Sequence, residues 1–123
     1  ADFPVTRWEA DPRVEEAWFV GAHSDVGGGY PASESALSDI ALEWMTGKLA
    51  GVGVQFASPP TYAPDRTVRA NGFHEPWKKP PFNLNARARS PLFGSDVFHS
   101  SVAEYWEANG PYRTLWPKGF GGG

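Results

Sequence analysis

The chain contains no cysteine. Disulfides, thiol nucleophiles and cysteine-ligated zinc are therefore excluded, and no redox signature places the protein in a compartment. No apolar run approaches the about 18 residues that a membrane-crossing helix needs. No basic-apolar-small leader pattern opens the sequence, so no secretory signal is visible. A basic excess is also missing. Eleven Lys+Arg stand against 14 Asp+Glu, net −3, which argues against a nucleic-acid binder. Internal repeats are absent.

Glycine, proline and tryptophan are plentiful. Gly (14) and Pro (12) exceed a fifth of the 123 residues, and there are six tryptophans. Disordered segments are poor in aromatics, so this composition predicts an irregular but ordered chain with a modest core.

Residues 1–13 read as an extended lead-in, because Pro4 and Pro12 disfavour helix. VEEAWFV (14–20) reads as a strand, its apolar end suited to burial on both faces of a parallel sheet. Gly21 ends it and 22–34 reads as loop. In SALSDIALEWMTGKLAG, apolar residues at Leu37, Ile40, Ala41, Trp44, Met45 and Leu49 predict a helix over 36–49 with one buried face. Ser35 suits its N-cap, Asp39 its first turn and Lys48 its last, and Gly51 suits a left-handed end. VGVQF (52–56) reads as a short edge strand. Seven prolines then punctuate the stretch to Ser95, and Arg66–Arg89 holds six Lys/Arg against one Glu. This wrapping segment reads as a solvated loop, with contact to an anionic surface as the functional alternative and Phe73, Trp77 and Phe82 as a conceivable lipid-facing rim. Residues 96–108 read as a second helix, capped by Ser95 or Asp96 and ended by Asn109-Gly110. The tail reads as extended.

The chemistry concentrates in GAHSDVGGGY (21–30). A histidine just past a strand end and before a helix sits where α/β active sites assemble, and imidazole titrates near neutrality, so His23 suits a general acid or base. Asp25 suits orienting an imidazole, capping the turn or accepting from loop amides. Ser24 is a nucleophile only if a base lies beside its hydroxyl, and neighbours on an extended segment point apart. Gly27, Gly28 and Gly29 permit positive φ and close approach. A metal site is disfavoured. His23-x-Asp25 offers two ligands where zinc takes at least three, and His74, His99 or distant carboxylates stand at no recognised spacing. A phosphate cradle is disfavoured too, for want of a Walker lysine or dinucleotide spacing. No cofactor is expected. The plainest alternative is a glycine turn capped by its own polar residues. His99 reads as a partly buried helix histidine and His74 as a loop histidine.

AWFVGAHSDVGGGYP followed by LSDIALEWM resembles a family of α/β-hydrolases that includes the type VI secretion phospholipase effectors of the first Tle family, with uncharacterised bacterial and fungal relatives. The likeness is strong across 16–50 and weaker at FHSSV (98–102) and YRTLWP (112–117). It implies a Ser-Asp-His triad in that chain order, with the serine in a G-x-S-x-G elbow and the histidine after the last core strand. His23 matches the histidine position. A pairing of Asp25 as acid with His99 as base ranks second, because the family's acid lies upstream of this block. The chain has no G-x-S-x-G; GSD (94–96) and GAHSD (21–25) lack the second elbow glycine.

The resulting expectation is an α/β fold in part: the C-terminal strand-loop-helix portion of a lipolytic serine hydrolase, with an incomplete sheet. Residues 1–50 would carry the last strand, histidine loop and closing helix, 51–95 the wrapping segment and 96–123 a helix and tail. Its partners would be a missing N-terminal hydrolase portion and a lipid or ester substrate, with no activity in isolation. The compartment stays open, a secreted effector being compatible with the resemblance. The alternative is a non-catalytic binding or scaffold module derived from the same fold.

Overall fold

The computed structural model describes residues 8–65, 74–80 and 97–109. Within them the elements run α1 (His23–Gly27), a 3-10 turn (Ala32–Glu34), α2 (Ala36–Gly51), a second 3-10 turn (Pro76–Lys78) and α3 (Ser100–Asn109). The tail, the caps Ser95 and Asp96, and most of the basic 66–89 stretch, including Phe73 and Phe82, lie outside the described residues.

The expected α/β architecture is not found. Among the described residues there is no strand and no sheet. Within the described residues the 14–20 segment forms an isolated parallel bridge, between Trp18 and Phe98. The Trp18 amide donates to the Val97 carbonyl at 2.8 Å, and the His99 amide donates to the Trp18 carbonyl at 3.0 Å. Past the bridge, toward the C-terminal side, both partners leave the extended conformation. One side turns at Gly21 (φ 130°) into α1, and the other enters α3 at Ser100. The apolar run is instead covered by helices. Val20 packs with Leu37 and Ile40 of α2 and Val102 and Tyr105 of α3, with Phe19 and Phe98 against the edge.

VGVQF (52–56) is not a strand either. Gly53 takes φ 92°, and the Val54 amide turns back to the Leu49 carbonyl at 3.0 Å. That left-handed residue stands two positions beyond Gly51, which is still helical.

α2 forms where its periodicity predicts, but its buried apolar residues lie in the N-terminal half. Leu37 and Ile40 are buried, while Met45 and Leu49, expected inside, are exposed, as is Leu42. Ser35 stands at the N-cap without capping an amide through its side chain. Its hydroxyl lies 3.1 Å from the Ala32 carbonyl and 3.2 Å from the Asp39 carboxylate. Asp39 also accepts from the Ala63 amide at 2.9 Å, so the chain after α2 returns to that helix's first turn. Lys48 pairs with Glu15 at 2.6 Å and sits 5.8 Å above the Trp44 ring, which meets Phe19 edge-on. The helix expected over 96–108 starts at Ser100. His99 precedes it, and its Nδ1 accepts from the Ser101 amide at 3.2 Å, so this histidine caps α3.

Candidate functional site

The loop expected over 22–34 begins as α1, and that short helix sorts the residues of HSDVG. Side chains two apart on a helix do not share a face. His23 is exposed, Ser24 is half-buried and Asp25 is buried. Asp25 is the third residue of α1 and reaches back to its start, where its Oδ2 accepts from the Ala22 amide at 3.1 Å. A carboxylate in the first turn also meets the positive end of the peptide dipoles.

Gly21 explains how the carboxylate fits. A Cβ on Gly21 would stand 2.4 Å from Asp25 Cβ, and its φ of 130° strains any other residue. Gly28 (φ 85°) and Gly29 (φ 125°) open the turn after α1, and the Gly28 amide bonds the Ser24 carbonyl at 3.0 Å. Gly27 needs no special conformation, and no atom crowds its Cβ position.

The imidazole that Asp25 orients belongs to His74. Nδ1 of His74 lies 2.6 Å from Asp25 Oδ1, and the His74 amide donates to Asp25 Oδ2 at 3.1 Å. The other ring nitrogen, Nε2, lies 3.0 Å from Glu34 Oε2. The Tyr30 ring stacks on the imidazole at 3.5 Å between centroids and 13° between planes. The Asp25 side chain is 0% exposed, that of His74 20% and that of Glu34 41%. Burial lowers the His74 pKa, but the bonds and charges of Asp25 and Glu34 outweigh it and hold the imidazolium above its ordinary 6.5. Burial, then the same two carboxylates, raise the Tyr30 phenol.

The second-ranked pairing of Asp25 with His99 is not formed, since Asp25 meets His74 while His99 stacks on Phe19 at 4.8 Å. Among the described residues no hydrogen bond or ion pair engages the His23 side chain, and no group of three or more His, Cys, Asp or Glu is placed to hold a metal ion. Sequence reasoning found Asp25 and missed its partners. His74 lies 49 positions away, a distance over which no local spacing links two side chains.

The described helices include none long and apolar enough to cross a membrane. Comparison with curated proteins and with solved structures finds no match to the chain. Residues 2–48, which carry the whole glycine turn and most of α2, match the family described as "T6SS, Phospholipase effector Tle1-like, catalytic domain", and it is to this description that this part of the chain is similar.

Proposed function

We propose that the turn at 21–30 contributes the catalytic histidine of a serine-type hydrolase acting on phospholipid esters, and that His23 is that residue. The observation that carries this reading is the family match over 2–48. The exposure of His23 on the outer side of α1 supports it, because that position leaves the imidazole open to a nucleophile and substrate. In this reading His23 takes the proton from a serine hydroxyl as it attacks the ester carbonyl, then passes it to the departing alcohol. The sequence has no G-x-S-x-G, so the serine and the oxyanion donors come from another segment or chain. Asp25 is committed to Ala22 and His74, which leaves it the role of holding the turn; Ser24 and the glycines shape it.

The test is reconstitution. The chain alone is expected to leave phospholipid vesicles and short-chain esters unhydrolysed. Joined to a G-x-S-x-G-bearing segment from a Tle1-like catalytic domain, it should turn over, and His23→Ala should then lower kcat by about 10³. Full turnover in that variant would end the assignment.

A further inference from the structure

We propose that residues 74–80 form a strap latched onto the glycine turn by His74, and that loss of the His74 ring proton weakens the latch. This goes beyond the hydrolase reading and does not depend on it. Carboxylates accept hydrogen bonds and do not donate them, whereas a neutral imidazole has one N–H. Both His74 nitrogens face carboxylate oxygens, Nδ1 toward Asp25 at 2.6 Å and Nε2 toward Glu34 at 3.0 Å. The arrangement is satisfied on both sides only by the doubly protonated ring. Asp25 is buried and also holds the His74 and Ala22 amides, so on deprotonation it retains the remaining N–H. The Nε2 lone pair then confronts Glu34.

Among the described residues, the hydrogen bonds between this strap and the turn run through His74. The other bonds of the strap are internal, such as the Lys78 amide to the Glu75 carbonyl at 3.0 Å and the Lys79 amide to the Pro76 carbonyl at 3.1 Å. Among the described residues the groups facing the ring are Asp25 from α1, Tyr30 from the loop and Glu34 from the 3-10 turn; Glu75 and Lys78, on the strap, pair with each other. Tyr30, whose pKa is raised above 10, stays protonated through the neutral range. The sign follows from the imidazole. Its contribution is complete below about 6.5 and fades as pH rises through the raised value of the closed state.

Hydrogen exchange at the residue-74 amide, which donates to Asp25, reads the latch directly. Its protection factor, corrected for the intrinsic pH dependence of exchange, is expected to fall about tenfold between pH 5.5 and 8.5. In Glu34→Gln the side-chain amide can donate to the Nε2 lone pair of neutral His74, so the protection should fall less with pH than in the wild type. Wild-type protection that does not change with pH would overturn the proposal, and so would a Glu34→Gln variant that falls as the wild type does.

Discussion

Two clusters hold the glycine turn in place, and they work by different physics. On one side Val20, Leu37, Ile40, Val102 and Tyr105 exclude water without regard to direction. On the other, Asp25 sits wholly buried and binds its neighbours through aimed hydrogen bonds and charge. The apolar cluster is indifferent to pH and tolerates small shifts. The polar cluster depends on protonation, and removing one member strands the others. A turn held by both is anchored by the first and oriented by the second.

Substitutions can separate the two. Asp25→Ala should have the largest effect, about 4 kcal/mol in urea unfolding at pH 5.5, because it leaves two amides without their acceptor and the His74 cation with Glu34 as its remaining described partner. That cost should shrink as pH rises through the raised His74 value and the ring loses its charge. Ile40→Ala should cost about 3 kcal/mol by lost burial and a cavity, and by the same amount across that rise. An equal pH response in the two variants would erase the distinction. Lys48→Ala should be smallest, about 0.5 kcal/mol, since its ion pair with Glu15 is half exposed on both sides; a salt titration of stability checks it.

α2 was legible from its period because each residue's helical preference agrees with its neighbours'. The depth of each position was not, since burial needs a partner and the elements that supply one meet Leu37 and Ile40 rather than Met45 and Leu49. Of the apolar run AWFV only Val20 is buried, and the run is not part of a sheet. Periodicity cannot tell strand neighbours from helices as the cover. Asp25 was legible as a turn residue from its place in HSDVGGG. His74, Glu34 and Tyr30 were not, because tertiary contact alone assembles them around it.

The Trp18–Phe98 bridge also bears on the order in which the chain folds. It closes a loop of roughly 80 residues, and such closure costs entropy that grows with the logarithm of length. If Asp25 and His74 join first, the bridge has only roughly 30 residues left to close, which saves about 0.8 kcal/mol. Association of His74 with the turn thus shortens the search for this distant contact. Refolding should be faster in mildly acidic than in alkaline solution, even for a step that itself involves only backbone amides and carbonyls.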